Sequence, residues 1–173
     1  VDALQGLAEH LHVARRSFEQ PGADIEQGGF AAARRSDHRH ELAGPDAPKL
    51  ALRVNGKTDA SSYGDMSTQV LLGQLPLLFG GPAKKVLVIG YASGVTTGSV
   101  ATHASVERID AVEIEPAIIE ASRWFDDVSG RPLDDPRVHL VLDDARSYLA
   151  ATHERYDVII SEPSNPWIAG IGN

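Results

Sequence analysis

Residues 84–115 read KKVLVIGYASGVTTGSVATHASVERIDAVEIE, and this stretch decides the fold. The continuous apolar run Val86–Ile89 has the pattern of a strand covered on both faces. It breaks at Gly90 and passes Gly94 and Gly98 before a second apolar run reaches Glu113. A strand, a glycine turn, a short helix and a strand ending in an acid make one half of a nucleotide-binding α/β unit. An acid about 20 residues beyond the glycine loop, at the end of the second strand, suits bidentate hydrogen bonding to two ribose hydroxyls. The plainer alternative is a glycine turn followed by an acid that caps the next helix. No Walker lysine follows the loop, and the helix-packing glycine of the dinucleotide fingerprint is not in its usual place. A nucleoside without a pyrophosphate therefore fits better than NAD or ATP.

Downstream the pattern stays regular. A helix is expected near 95–103 and a strand over 108–114. A helix over 116–125 follows, with Pro116 in its first turn. The Gly-, Pro- and Asp-containing segment 126–136 reads as a loop. A strand over 138–142, a helix over 145–152 and a strand over 156–161 complete the series. Alternating strands and helices predict a parallel sheet with helices on both faces, and ligands bind such sheets beyond the carboxyl ends of the strands. Those ends are Gly90, Glu113, Asp143-Asp144 and Ser161-Glu162.

Upstream, Leu4, Leu7, Leu11 and Phe18 predict an amphipathic helix within residues 1–18. Phe30 to Arg35 reads as a short strand and Ser36 to Pro48 as a loop. Leu50, Leu52 and Val54 alternate as in a half-buried strand, and Asn55-Gly56 predicts a hairpin turn over 50–60. Asp65 reads as the acid opening a helix through MSTQVLLGQLPLLF, with Leu71, Leu72, Leu75 and Leu78 as its buried face. Gly80-Gly81-Pro82 stops that helix.

The 173 residues suffice for one domain with a real core. A formal net charge of -8 argues against a general nucleic-acid surface. The chain has no cysteine, which excludes disulfides, thiolate zinc sites and a cysteine nucleophile. No apolar run approaches the roughly 20 residues of a membrane span, and no signal peptide is visible. A cytoplasmic location is expected. The sequence starts at Val1 and stops at Asn173 in mid-pattern, so a piece of a longer protein is expected.

Several residues at the strand ends are suited to chemistry. Asp143 or Asp144 can accept a hydrogen bond from an exocyclic amine such as adenine N6, or cap the helix that starts at Ala145. Ser161-Glu162-Pro163-Ser164-Asn165-Pro166-Trp167 places an acid at a strand end beside rigidifying prolines and an aromatic. That suits a base facing an amine or hydroxyl substrate, though prolines also mark ordinary turns. Tyr63 and Asp65 precede the first helix. They either close over the site or serve as a packed aromatic and a cap. The histidines at 10, 12, 38 and 40 lie on a helix surface or in a polar loop, and no metal site is expected.

Taken in order, RVNGKTDASSYGDMSTQ, LLGQLPLLF, VLVIGYASGVTTG, DAVEIEPAIIEASRWF, LDDPRVHLVLDDARSYL and YDVIISEPSNPWIAG are specific. Over about Leu50 to Asn173 the chain resembles the spermidine synthase (polyamine aminopropyltransferase) family. It looks most like the spermidine-synthase-like domains that bacteria fuse to membrane-transporter-like segments. The resemblance implies an α/β fold with a Rossmann-like parallel sheet of the S-adenosylmethionine-methyltransferase type. Here that sheet would be truncated after its fourth strand, with a small N-terminal β-hairpin region. Residues 1–62 would form the helix and hairpin region and 63–173 the nucleoside-binding domain.

The resemblance also implies roles. Gly90, Ala92, Ser93 and Gly94 would wrap the reacting end of an S-adenosyl ligand. Glu113 would hold the ribose hydroxyls. Asp144 would bind adenine N6 with Asp143 beside it, and Ile114 and Ala145 would adjoin them. Tyr63 would stand at the substrate gate and Glu162 would be the general base. Asp65, Asn165 and Trp167 would meet the amine substrate.

Five positions depart from the family pattern. Glu162 replaces an aspartate, moving the carboxylate out by one methylene. Asn165 replaces a second aspartate and cannot neutralise an ammonium. Tyr91 and Ala92 stand where glycines are usual, and Ser93 where an acid is. The co-substrate is accordingly S-adenosylmethionine or its decarboxylated form, with no metal.

The implied activity is aminopropyl transfer to a small-molecule amine. The alternatives are a methyltransferase on the same fold, since Asn165-Pro166-Trp167 is similar to the Asn-Pro-Pro-aromatic loop of amino-group methyltransferases, or a non-catalytic nucleoside-binding domain of a membrane-fused protein. The expected partners are the amine and a second copy in a homodimer. Neither nucleic acid nor direct membrane contact is expected.

Overall fold

Val86, Leu87 and Val88 are each no more than 1% exposed, as a run with no polar face requires. They lie in the first strand of a parallel sheet. The computed structural model describes residues 32–33, 49–54 and 57–161. The amino-terminal helix expected within 1–18, the turn at Asn55-Gly56, most of the histidine-rich segments and the loop from Glu162 onward lie outside these residues.

A short antiparallel sheet comes first, formed by β1 (Ala32–Ala33), β2 (Ala51–Val54) and β3 (Lys57–Ser61), with β2 in the middle. Strands β2 and β3 pair as the hairpin predicted, Val54 opposite Lys57. Helix α1 (Met66–Phe79) follows, then β4 (Lys85–Ile89), α2 (Val95–Ala101), β5 (Arg108–Glu113) and α3 (Pro116–Ser122). A 3-10 turn (Arg123–Phe125), α4 (Asp126–Ser129) and a second 3-10 turn (Pro132–Asp134) lead to β6 (Val138–Leu142), α5 (Ala145–Ala151) and β7 (Val158–Ser161).

The four long-range strands run parallel in the order β6-β5-β4-β7. The chain steps from β4 outward to β5 and β6, then returns across the sheet to pair β7 with the other side of β4. The order reverses between β4 and β7, and beyond the carboxyl ends of two such strands a crevice opens. This is the α/β, Rossmann-like arrangement expected from sequence.

Two apolar clusters hold these layers. Leu77, Val86, Val88, Val100, Ile109 and Ile160 fuse α1 and α2 to one face of the sheet. Leu50, Leu52 and Ala60 of the hairpin pack on Ile118, Ala121 and Phe125, seating the small sheet on α3 and the turn after it.

Two expectations need correcting. Leu71, Leu72, Leu75 and Leu78 are not the buried face of α1: Leu75 is 42% exposed and the other three are half-buried, while Met66, Gln69, Val70, Gly73, Gln74 and Leu77 are buried. The reason is Gly73. A Cβ there would lie 2.7 Å from the Ser99 side chain and from the Thr96 carbonyl, so only glycine lets α1 and α2 approach this closely. That contact turns two glutamines inward, where their amides satisfy buried polar groups. The segment 126–136 is also more than a loop, since it contains α4 and a 3-10 turn. Elements this short show no periodicity in a sequence.

Candidate functional site

The glycine turn leaves β4 with Gly90 at φ +84°, a left-handed conformation that suits glycine. The Gly90 amide donates to the Val112 carbonyl at 2.8 Å, which keeps the loop joined to β5. Tyr91 then turns inward, is 3% exposed, and lays its phenol across Gly94. A Cβ at Gly94 would sit 2.7 Å from the Tyr91 hydroxyl, and Gly94 itself has φ +80°. Burial pushes the Tyr91 phenol well above its ordinary pKa. Ala92, at φ +46°, holds a left-handed conformation without being glycine.

The loop is gripped from two sides. Glu113, at the end of β5, accepts from the Tyr91 amide at 2.9 Å and the Ala92 amide at 3.5 Å through Oε2. Its Oε1 accepts from the Ile114 amide at 2.9 Å and the Glu115 amide at 3.1 Å. The carboxylate that sequence assigns to ribose therefore also fixes the shape of the loop. A carboxylate has about four acceptor positions. The one used only by the 3.5 Å contact is the least engaged. On the other side Ser93 is buried and donates its hydroxyl to Gln69 Oε1, while accepting from the Val95 amide at 3.3 Å. Gln69 Nε2 donates to the Ser61 carbonyl at 2.9 Å, and the Gln69 carbonyl accepts from the Thr96 hydroxyl at 3.0 Å. One buried glutamine thus joins the hairpin, α1, the glycine loop and α2.

Beyond the carboxyl ends of β4, β5 and β6 lies a cavity of about 880 Å3. Of the residues expected at the site, Tyr63, Asp65, Gly90, Ala92, Glu113, Ile114, Asp143, Asp144 and Ala145 line it. Ser93 and Gly94 are not among its lining residues. Ser93 is directed into the wall by Gln69, and Gly94 is covered by Tyr91. Glu162, Asn165 and Trp167 lie outside the described residues.

Asp144 is the N-cap of α5, accepting from the Ser147 amide at 2.9 Å, and this bond holds its carboxyl below the usual carboxylate range. Asp143 accepts from the Asp144 amide at 2.8 Å. Asp65 occupies the N-cap position of α1, yet its carboxylate turns back to the hairpin. There it accepts from the Ser61 amide at 2.9 Å and from the Ser61 hydroxyl. The Tyr63 ring is half-buried, with Lys49 Nζ 5.9 Å from its centroid.

Sequence reasoning missed Gln69, Thr68 and Thr96 in the cavity wall, and Asp59 and Glu115 as further acids there. A signal existed for Gln69: it falls one helical turn after Asp65, amid an apolar stripe. Among the described residues no group of three or more histidine, aspartate or glutamate side chains converges so as to hold a metal ion. Among them no helix is long and apolar enough to cross a membrane.

The chain is similar to known proteins over most of these residues. The spermine/spermidine synthase domain model matches residues 66–170. Polyamine aminopropyltransferase 1 of Pseudomonas aeruginosa is 34% identical over 134 residues, covering 76% of this chain and 47% of that protein. The polyamine aminopropyltransferase of Yersinia pestis is 39% identical over 109 residues, covering 62% of this chain and 35% of that protein. The chain thus spans about half the length, or less, of the curated relatives it matches. A spermidine synthase crystallised with the transition-state analogue AdoDATO superposes with a TM-score of 0.63 at 28% identity, over 71% of this chain and 42% of the other. The Thermotoga maritima spermidine synthase superposes with a TM-score of 0.62 at 29% identity, over 70% of this chain and 42% of that one.

Proposed function

Because the chain belongs to the spermine/spermidine synthase domain family, we propose that it forms the nucleoside-binding part of an aminopropyltransferase. In this reading it takes decarboxylated S-adenosylmethionine and a small amine. The observation that carries this reading is the charge of the cavity. Asp59, Asp65, Glu113, Glu115, Asp143 and Asp144 line it, and no lysine, arginine or histidine does among the described residues. Such a lining favours a ligand whose charges are all positive, one sulfonium and one ammonium group, together with a cationic amine, and it disfavours a ligand that brings its own carboxylate. The spermidine synthase relative that binds AdoDATO supports the same co-substrate.

In this proposal Glu113 holds the ribose through the acceptor position of Oε2 that only the 3.5 Å contact uses. The exposed Ile114 side chain offers an apolar surface to the base, and Asp144 accepts from the exocyclic amine of adenine while capping α5. Tyr63 and Asp65 form the amine's entrance. The amine nitrogen attacks the carbon next to the sulfonium with its lone pair. The carbon–sulfur bond breaks, its electron pair returns to sulfur, and 5′-methylthioadenosine leaves. The proton lost from the new ammonium goes to Glu162, the residue after β7. Alignment of nitrogen, carbon and sulfur supplies most of the acceleration, and the base supplies the remainder.

Calorimetric titration with S-adenosylmethionine, its decarboxylated form and 5′-methylthioadenosine tests the reading. The decarboxylated form is expected to bind at least about tenfold more tightly than the carboxylated one. The opposite preference would favour methyl transfer. Absence of binding by all of them would leave a non-catalytic domain. Glu162→Gln is expected to abolish turnover with binding intact, and unchanged turnover would remove Glu162 from the base role.

A further inference from the structure

Asp110 is a buried charge that the candidate site does not use. It lies in β5, fully buried, three positions before Glu113 and so on the opposite face of the sheet. Its Oδ1 accepts from Arg108 Nε at 2.9 Å. Its Oδ2 lies 2.5 Å from the Tyr156 hydroxyl and 3.3 Å from the Tyr148 hydroxyl, and the two hydroxyls are 2.5 Å apart. Each phenol has a single hydrogen, which orders the chain. Tyr156 donates to the carboxylate at the shorter distance, and Tyr148 donates to the Tyr156 oxygen.

What this chain of hydroxyls holds is α5. That helix buries none of its residues fully, so its polar attachments weigh heavily in fixing it. Asp144 caps the first turn, and the Tyr148 hydroxyl reaches Tyr156 and Asp110. The two attachments are joined directly, since the Tyr148 amide donates to the Asp144 carbonyl at 2.8 Å. A buried carboxylate must find donors, and the phenols that satisfy it become tethers.

We propose that Asp110, Tyr156 and Tyr148 form a clasp that positions Asp144 for recognition of the nucleobase, setting how far α5 carries that carboxylate from the bound adenine. These are positioning residues, and the proposal rests on the nucleoside reading given above. The clasp acts on the exocyclic amine alone, because Glu113 and the glycine loop are held from the other side of the sheet.

Tyr148→Phe in the full chain isolates the effect. It keeps the ring of a half-buried residue and leaves the Tyr156–Asp110 bond in place. Affinity for 5′-methylthioadenosine is expected to fall about fivefold, the weight of one hydrogen bond. Affinity for 5′-methylthioinosine, which has an oxygen in place of the exocyclic amine, is expected to change by less than about twofold. Amide hydrogen exchange should quicken across α5 and stay unchanged in α2. Tyr156→Phe removes the Tyr156–Asp110 and Tyr148–Tyr156 bonds and leaves only the 3.3 Å contact between Tyr148 and Asp110, so it should lower the discrimination between the two nucleosides as well. Equal losses for both nucleosides would overturn the proposal, because Tyr148 would then act through general structure. Unchanged exchange in α5 would overturn it while leaving the nucleoside reading standing. If the wild-type chain binds neither nucleoside, the nucleoside reading fails and the recognition role fails with it, even where exchange in α5 quickens.

Discussion

Helices α2 and α5 both have seven residues, both follow a strand that ends at the cavity, and they are fixed by opposite means. Helix α2 begins at a left-handed glycine with no side-chain cap and buries Val95, Thr97, Gly98, Ser99 and Val100. Helix α5 begins at an aspartate cap and buries none of its residues. Close packing holds the first in one place. A few hydrogen bonds hold the second, so its position depends on a small number of polar groups. The end of the cavity assigned above to the reacting atoms is therefore built on rigid backbone. The end assigned to the nucleobase is built on an element that single side chains can shift. Activity and base selectivity should accordingly respond to different substitutions.

Gly98→Ala should give the largest effect. A Cβ at Gly98 would lie 1.8 Å from the Ser129 carbonyl oxygen, and both partners are backbone. The helix must move or α4 must give way, at a cost of about 3 kcal/mol or more. A thermal melt measures this, and a variant as stable as the parent would show that the α2 contact is not close-packed. Next in size is a matched pair of truncations. Val100 is fully buried, and Val100→Ala should cost about 2 kcal/mol. Leu149 of α5 is 41% exposed, and Leu149→Ala should cost less than about 1 kcal/mol although it removes more atoms. Equal losses in urea unfolding would erase the contrast between the helices.

The same contrast explains what could be read in the sequence. The strands β4, β5, β6 and β7 were legible because each is a short segment rich in apolar and β-branched residues set between turn residues, and strand ends give the site by topology alone. Gly90, Glu113 and Asp144 follow from that placement. The two faces of α1 were not legible, because leucines fill several positions around it and Gly73, with no side chain, decides which of them packs inward. The Gln69–Ser93 bond spans 24 positions, and the clasp joins Asp110 to residues 38 and 46 positions away. No local pattern reports such pairs. The sequence also reads Glu113 as a ligand-binding acid, whereas its four backbone contacts make it part of the loop as well.

A smaller effect sharpens the rigid side of the comparison. Ala92 has φ +46° beside the Glu113 grip, where a Cβ is strained by about 1 kcal/mol. Ala92→Gly relieves that strain and gives back part of the gain through the greater freedom of glycine in the unfolded chain. A net stabilisation of about 0.5 kcal/mol is expected, read as a higher denaturant midpoint at an unchanged slope. A lower midpoint would mean that the loop accommodates alanine without strain.

The smallest effect lies where α2 ends and depends on pH. His103 is 6% exposed, with Nε2 at 2.7 Å from Gln74 Oε1. Gln74 Nε2 donates to the Ser99 carbonyl at 3.0 Å and to the Thr102 hydroxyl at 3.1 Å, which orients the amide. Oε1 must then accept, so the neutral imidazole carries its hydrogen on Nε2. Burial holds the His103 pKa below its ordinary 6.5. The folded chain therefore binds fewer protons at this site than the unfolded chain does just below 6.5, and stability rises with pH through that window. The contribution is complete above the unfolded pKa and declines as the pH falls toward the folded one. Asp135 and Asp144, whose carboxyls are held low by hydrogen bonds, lose their contributions only in the more acidic carboxylate range. Urea unfolding at a series of pH values on either side of 6.5 separates the two windows. His103→Gln should flatten the upper one and leave the lower one unchanged. Parallel profiles for the variant and the parent would show that the imidazole at the end of α2 titrates alike in the folded and unfolded chain, and that the packing around this helix is looser than its burial implies.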